Sequence, residues 1–324
     1  MPANWVGFEL PWLTRMPGRI KVATDIETES GSGNRSWFSP THPNRSGHLQ
    51  LMPALILVSV ALLAPLGLLI VTSFWTNLGG GEVAPALTLA NYETLLERPG
   101  YARILLRSIG IAACVTFVTV LLAYPLAYFV AFDVRKRKLI WLLLITLPFW
   151  TSYLLRVFAW KVILGWNGVI NSGLTTIGII DEPLSFLLYK PFSVVVTLSH
   201  AWATFAILPI YLSLEKIDRS LLDAAADLGD GSMQRFFRVT LPLSMPGVIA
   251  ATVIIFIPTV GDYITPALVG GPDGLMVANL IQAQFGKANN WPFGAALSVI
   301  SIATVAMITL LFVSAIRQLV ARIR

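Results

Sequence analysis

The sequence is short of charge. Of its 324 residues only 12% are Asp, Glu, Lys or Arg, whereas an ordinary soluble domain has about 25%. Hydrophobic residues make up 56% of the chain. So little charge cannot cover the surface of a soluble protein of this length, which excludes a soluble enzyme, a disordered chain and a nucleic-acid-binding domain. The composition instead predicts a polytopic membrane protein with no nucleic-acid partner.

The sequence also lacks the residues of most catalytic and metal sites. The single cysteine, Cys114, excludes an intrachain disulfide, and its apolar surroundings predict a buried structural thiol. Two of the three histidines, His42 and His48, lie in the polar N-terminal segment, and His200 lies in an apolar stretch. Because no His/Cys cluster exists, we expect neither a metal site nor a catalytic nucleophile.

Long stretches without charge dominate the rest of the chain. A helix needs about 20 residues to cross the hydrocarbon of a bilayer, and six stretches reach or approach that length. Their apolar runs do not alternate with polar residues, which argues against a β-barrel. The sequence therefore predicts an all-α fold with six transmembrane helices, at residues 51–75, 106–132, 139–163, 192–214, 246–269 and 293–316.

The basic residues predict which side of the membrane each loop faces. With the N-terminus in the cytoplasm, 16 of the 23 Lys and Arg residues fall on the cytoplasmic side, among them the run from Arg135 to Lys138. An excess of basic residues marks cytoplasmic loops. We therefore expect both termini in the cytoplasm, and the net charge of +6 reports topology rather than a polyanionic partner.

Two regions outside the predicted spans have their own character. Residues 1–48 are polar, rich in Gly, Ser and Pro, and lack the apolar core of a signal peptide, so a disordered cytoplasmic extension is expected before a membrane domain at 49–324. Residues 165–190 carry apolar side chains at helical spacing beside several glycines. They predict a short amphipathic helix at the outer interface.

The predicted cytoplasmic loop at 218–242 reads as a helix, a glycine turn and a second helix. Ser220 and Asp223 have the spacing of a capping box, and three alanines follow. Gly229 can take the positive φ of a helix C-cap. Small side chains on a short capped helix favour either a surface that another protein approaches closely or a solvated helical loop.

The same loop resembles a known motif. Asp223-Ala224-Ala225, three residues, Gly229, nine residues, Val239, one residue and Leu241-Pro242 are similar to the EAA loop of ATP-binding-cassette importer permeases. Asp223 replaces the family's Glu and Val239 its Ile, while every spacing is kept. The resemblance implies that the loop is a coupling helix, which docks on a cytoplasmic ATPase subunit and transmits its closure to the membrane helices. Asp223 would pair with a basic residue there or cap its own helix.

Three further segments resemble the spermidine/putrescine branch of this family, and in particular the first of its two permease subunits. They are residues 147–160, residues 256–263 with 270–272, and residues 290–294. The likeness covers most of residues 50–316 and implies the type I importer fold, a place in the bacterial inner membrane and a polyamine substrate.

The family resemblance also implies the partners. They are a second homologous permease, two ATPase subunits that bind ATP and magnesium, and a periplasmic substrate-binding protein. The chain itself has no Gly-x-x-x-x-Gly-Lys-[Ser/Thr] loop, and Gly286-Lys287-Ala288 lacks both the leading glycine and the hydroxyl. We therefore expect a transport subunit that is not an enzyme and holds no cofactor.

One acid lies well inside an apolar segment. Asp262 follows a charge-free run, and an acid within a membrane helix usually faces a cavity or a partner. Pro258 and Gly261 precede it and can interrupt the helix. Asp262 lies roughly 24 Å along the helix from Pro246, in the outer half of the membrane, where a partly hydrated structural acid is the alternative. A path for polyamines needs a carboxylate for the ammonium groups and aromatic faces for cation–π contacts. The aromatic candidates for this path are Tyr263, Trp202, Trp150 and Tyr153.

Other residues and other functions remain open at this point. His200 could contribute to a gate, although a buried structural histidine is the simpler interpretation. Arg156 is expected to extend to the outer interface; if it lines the cavity, a substrate with both charges, such as an opine or an amino-acid conjugate, gains support. An ion-coupled secondary carrier is the alternative from another class.

Overall fold

The computed structural model of the protein describes residues 45–323. The predicted N-terminal extension therefore lies almost entirely outside the described residues. The chain divides into two units, residues 1–56 and 57–324. Helix α1 (Arg45–Ser73) begins in the first unit, and the elements that follow it belong to the second.

Helices account for nearly all of the regular structure in the described residues. After α1 come strands β1 (Thr76–Gly79) and β2 (Glu82–Ala84) and helices α2 (Ala90–Glu97), α3 (Pro99–Tyr128), α4 (Lys138–Thr146), α5 (Tyr153–Ile163), α6 (Val169–Thr176), α7 (Pro191–Glu215), α8 (Arg219–Asp227), α9 (Ser232–Arg235), α10 (Leu241–Val260), α11 (Gly271–Gly274), α12 (Val277–Phe285) and α13 (Trp291–Ile323). Three π-helical turns (Phe129–Asp133, Phe236–Thr240 and Pro266–Gly270) and one 3₁₀ turn (Leu147–Trp150) adjoin them.

The six predicted spans are found, five as continuous helices and one as a bent pair. The continuous ones are Leu51–Ser73, Pro99–Asp133, Pro191–Glu215, Ser232–Val260 and Trp291–Gln318. The predicted third span is two segments, Lys138–Trp150 and Tyr153–Ile163, which meet at 84°. Pro148 has no N–H to donate in a continuous helix, and residues 151 and 152 are extended. This bend was not predicted.

The boundaries of two spans were wrong, and one short hairpin was not predicted. The second span begins at Pro99 rather than 106, because the helix continues through Arg103 and Arg107. The fifth runs from Ser232 to Val260 rather than from 246 to 269. The all-α prediction missed the short antiparallel hairpin of β1 and β2.

The core of the second unit is formed by α3, α7 and α10. Its buried side chains combine large aliphatic residues such as Leu198 and Ile255 with alanines. A Cβ atom built on Gly247 of α10 would collide with the carbonyl oxygen of Pro209 and the side chain of Ser213 on α7. Glycine is therefore required where α7 and α10 cross, and this crossing fixes how α10 lies in the bundle.

Two smaller expectations have different outcomes. The short helix predicted within 165–190 is present as α6, and its interfacial position stays a prediction. Cys114 is exposed on α3, so the expectation of a buried thiol was wrong. In a membrane helix apolar residues occur on the outer face as well as in the core, so an apolar run does not indicate burial.

Candidate functional site

Asp262 follows directly on the end of α10. The helix ends at Val260 with Gly261 as its C-cap, which confirms that the span is interrupted at this point. The Oδ1 atom of Asp262 accepts the backbone N–H of Ile264 at 2.9 Å and that of Thr265 at 3.4 Å. The carboxylate therefore starts the next helical turn, as Asp commonly does after a break.

The second carboxylate oxygen contacts a different helix. The hydroxyl of Tyr153, the first residue of α5, donates to Oδ2 of Asp262 at 2.5 Å. The same hydroxyl lies 2.5 Å from Oγ1 of Thr265, which is fully buried. Tyr153 and Asp262 are both half-buried. The structure thus brings two predicted residues together and adds Thr265, which the sequence analysis missed because a threonine in an apolar segment gives no distinctive signal.

Trp202 continues this cluster on α7. Its ring centroid lies 6.3 Å from that of Tyr153 and 5.7 Å from that of Phe205. The indole Nε1 is buried and has no hydrogen-bond partner among the described residues. Trp202 is eleven residues after Pro191 in a helix of 25 residues, which is about 17 Å along it. The cluster therefore reaches the depth of the middle of α7.

Arg156 lies on the other side of Tyr153. Its guanidinium carbon is 5.9 Å from the centroid of the Tyr153 ring and 6.0 Å from that of Phe149, and Nη1 donates to the Ala201 carbonyl at 3.3 Å. The side chain is held against the middle of α7. The sequence analysis expected it to extend to the outer interface; the structure shows the guanidinium bonded to Ala201 of α7, and its depth in the membrane stays a prediction.

The other predicted residues lie apart from the cluster. Trp150 is 80% exposed at the bend. Tyr263 faces a cavity of about 520 Å³ lined mainly by α10, α12 and α13. His200 is exposed and packs edge-on against Trp160 at 5.5 Å, so the simpler interpretation of a buried histidine was wrong. Of the four aromatic candidates, only Tyr153 and Trp202 therefore lie in the cluster around Asp262.

The second candidate site is the segment 218–242, in which α8 begins with a local cap. The Asp218 carboxylate accepts the N–H of Ser220 at 3.0 Å, and this bond lowers the pKa of the Asp218 carboxyl below its ordinary value. The predicted capping box of Ser220 and Asp223 is therefore wrong by two positions: the N-cap is Asp218, α8 starts at Arg219, and Asp223 is an exposed residue in its middle.

The end of α8 agrees with the sequence. Gly229 has a φ of +90°, as predicted for a C-cap glycine. Its N–H donates to the carbonyl of Ala226 at 2.9 Å, and the N–H of Asp230 donates to that of Ala225 at 3.0 Å. These two bonds are a Schellman motif, which turns the chain sharply after the helix. Ala224 is exposed on α8, whereas the side chain of Ala225 is buried.

The segment joins the bundle through aromatic residues. The Phe236 ring packs edge-on against Tyr124 and Tyr128 of α3, at 5.7 and 6.3 Å. Leu241 and Pro242 are half-buried at the start of α10. Because Ser232–Val260 is continuous, one helical element connects this segment to the residue before Gly261 and Asp262.

Metal chemistry finds no support in the part of the chain that the structure describes. No group of three or more His, Cys, Asp or Glu side chains comes together among residues 45–323. The two candidate sites are thus one polar and aromatic cluster at a helix break and one exposed helical loop.

Comparisons with known proteins show which family the chain belongs to. The family described as the inner membrane component of binding-protein-dependent transport systems matches residues 48–324. The chain is 38% identical over 251 residues to the spermidine/putrescine transport system permease protein PotB of Haemophilus influenzae, covering 78% of this chain and 86% of that one. It is 36% identical over 252 residues to PotB of Escherichia coli K12, covering 78% and 91%.

The fold agrees with a solved importer. A chain of the bacterial ABC transporter that imports the polysaccharide alginate superposes with a TM-score of 0.62, covering 84% of this chain and 95% of that one, at 17% identity. At that identity the likeness concerns the fold alone, and it is the fold predicted from the sequence. The chain belongs to the family of inner-membrane components of binding-protein-dependent transport systems and is a permease of the ABC importer type.

Proposed function

We propose that this permease moves a polyamine, putrescine or spermidine, across the inner membrane. The observation that carries the proposal is the hydrogen bond of Asp262 to Tyr153, whose ring lies 6.3 Å from that of Trp202. A carboxylate pairs with an ammonium group, and each cation–π contact adds about 0.5–2 kcal/mol. The names of the relatives, spermidine/putrescine permeases at 36–38% identity, support the same substrate class.

The chain acts with partners that supply energy and substrate. These are a second homologous permease, two ATPase subunits that bind ATP and magnesium, and a periplasmic substrate-binding protein. The absence of a phosphate-binding loop from the full sequence supports placing ATP hydrolysis in separate subunits and no cofactor in this chain.

The segment 218–242 is the site of ATPase coupling, and both termini lie in the cytoplasm. Asp223, Ala224 and Gly229 form the contact surface and its turn, while Leu241 and Pro242 begin the helix that receives the movement. The continuity of Ser232–Val260 supports this role, because displacement of one end of a stiff helix is felt at the other. Closure of the ATPase dimer would then move the residues next to Asp262.

A substrate with both charges is the second candidate. Arg156 lies 5.9 Å from the ring of Tyr153 and so close to the proposed cation site. A guanidinium there would repel a polyamine and attract a carboxylate. An opine or amino-acid conjugate would satisfy Asp262 with its amine and Arg156 with its carboxylate.

Uptake of labelled putrescine by cells that carry Asp262→Asn tests the proposed substrate. We expect a fall of at least tenfold, because the variant keeps the shape of the side chain and removes its charge. The matched control is Asp273→Asn, an acid 64% exposed in its ion pair with Lys190, and it should transport normally. Equal uptake by Asp262→Asn and the wild type would refute charge pairing at this residue.

Two further measurements separate the alternatives. Binding of putrescine, spermidine and an opine to the cognate periplasmic protein distinguishes a polyamine from a substrate with both charges. Purification of the tagged permease tests the importer itself: we expect ATPase subunits to co-purify, whereas a secondary carrier would purify without them.

A further inference from the structure

The carboxylate of Asp262 is already occupied in this structure. Oδ1 accepts the two backbone N–H groups of the following turn, and Oδ2 accepts the hydroxyl of Tyr153. Tyr153 is the residue at which α5 starts after the 84° bend. An arriving ammonium group therefore meets a carboxylate whose available oxygen is held by a neighbouring helix.

The direction of the hydrogen bonds can be assigned. A phenol has one proton, and an ionised carboxylate only accepts, so the proton of Tyr153 lies toward Asp262. The 2.5 Å contact between Tyr153 and Thr265 must then be a bond that Thr265 donates. The result is a chain from Thr265 through Tyr153 to Asp262, in which each bond polarises the next.

These hydrogen bonds join α5 to the residues that follow α10, two elements that are far apart in sequence. Tyr153 and Asp262 are 109 residues apart in sequence. One belongs to the first turn of α5, and the other follows directly on the helical element that begins at Ser232 in the proposed coupling segment. A bond at this point holds α5 and the end of α10 in one relative position.

We propose that the Tyr153 hydroxyl, positioned by Thr265, is an intramolecular competitor for the substrate's cation at Asp262. The inference rests on the proposed role of Asp262 and adds how that site is regulated. An ammonium group brings a full charge and three donors to Oδ2, where the phenol brings one neutral donor. Arrival of the cation releases Tyr153 and frees the end of α10 from α5. Without substrate the closed bond restrains α10 and keeps ATP hydrolysis slow.

The surroundings of Tyr153 favour release without loss of the fold. Its ring lies 6.3 Å from the Trp202 ring and 5.9 Å from the Arg156 guanidinium carbon, and these contacts do not involve the hydroxyl that leaves the carboxylate. The buried Nε1 of Trp202 has no partner among the described residues. The Tyr153 ring packs against the core, whereas only its hydroxyl makes the bond that the cation would replace. Tyr153 is thus a positioning residue whose hydroxyl can leave Asp262 while its ring stays packed.

The test is the ATPase rate of the complete reconstituted importer, measured without substrate. Tyr153→Phe keeps the ring and removes the bond, and we expect the rate to rise about two- to tenfold, the factor expected for one hydrogen bond. Thr265→Val should give a smaller rise, and Thr265→Ser, which keeps the hydroxyl, should match the wild type. The matched control is Tyr92→Phe, which removes a 2.6 Å bond to Ser73 between α2 and α1 and should leave this rate unchanged.

The outcomes separate regulation from structure. If Tyr153→Phe only lowers thermal stability, as Tyr92→Phe is expected to do, and leaves the rate without substrate unchanged, the bond is structural and the proposal is wrong. A normal rate in both Tyr153→Phe and Thr265→Val also overturns it. Because this assay contains no polyamine, its result does not depend on the identity of the substrate, which Asp262→Asn uptake tests separately.

Discussion

The two ends of the helical element Ser232–Val260 are built in different ways. The segment before it is shaped mainly by bonds between near neighbours, although Arg219 also donates to the Phe132 carbonyl: the Asp218 carboxylate accepts the N–H of Ser220, and the Schellman motif at Gly229 closes within five residues. The segment after it is held by residues far apart in sequence, with Tyr153 and Trp202 arriving from two other helices. One end is a local fold, and the other is a tertiary one.

This difference corresponds to the two tasks proposed for the ends. A locally folded segment keeps its shape when it is displaced as a unit, which suits a surface that follows a partner. A cluster made from three helices changes when any of them moves, which suits a site that must open and close. Three substitutions test this division. In order of decreasing expected effect, they change Gly247 in the helix between the ends, Gly229 in the local end, and Asp218 at the start of that end.

The largest effect is expected at the crossing of α7 and α10, because α10 connects the two ends. Gly247→Ala places a methyl group against the Pro209 carbonyl and the Ser213 side chain. We expect about 1–3 kcal/mol of destabilisation, as overpacking in a core typically gives, with loss of uptake. Unfolding of the purified permease in detergent measures the first quantity.

Gly110→Ala is the matched control for this prediction. Gly110 is also a helical glycine, on α3, and a Cβ built there meets no atom of the chain within 4 Å. We expect this variant to be as stable as the wild type or slightly more so, because alanine lowers the entropy of the unfolded chain. Equal destabilisation by both substitutions would show that the close contact between α7 and α10 at Gly247 is not what stabilises this helix.

The next effect concerns the local end alone. Gly229→Val forces a branched residue to a φ of +90°, although no neighbour lies within 4 Å of the new side chain. The strain of at least about 1–2 kcal/mol should open the turn, so we expect ATPase subunits to co-purify poorly and uptake to fall, while the permease unfolds at nearly its normal temperature.

Two controls accompany Gly229→Val: one at the neighbouring glycine, Gly231, and one at Gly229 itself. Gly231 has an ordinary φ of −67°, and Gly231→Ala should retain uptake and ATPase assembly. Gly229→Asn should retain much of both, because asparagine tolerates the left-handed region. Normal uptake by Gly229→Val would contradict the coupling role of the segment.

The same contrast explains how much the sequence could predict. Six apolar spans, the C-cap at Gly229 and the interruption at Gly261 all depend on residues within a few positions of each other, and the structure has them. The bend before Tyr153, the hydrogen bond of Tyr153 to Asp262 and the position of Arg156 depend on how separate helices pack. Neither periodicity nor spacing contains that information. The cap at Asp218 was missed for a smaller reason, since Asp218 and Ser220 are both acceptable caps and only the backbone distinguishes them.

The smallest effect is expected at Asp218. Its pKa is lowered in the folded chain because the carboxylate accepts the N–H of Ser220. The stabilisation of α8 by this charge is therefore complete at neutral pH and is lost as the pH falls through the lowered pKa, below about pH 4. Asp218→Asn keeps an oxygen that can cap the helix and removes the titration, so its α8 should show a smaller increase in amide hydrogen exchange, corrected for intrinsic rates, between pH 5 and pH 3. Asp218→Ala should exchange faster at both values. If the hydrogen exchange of α8 in the wild type and in Asp218→Asn responds identically to pH, the cap depends on geometry alone, and the charge of Asp218 does not stabilise α8.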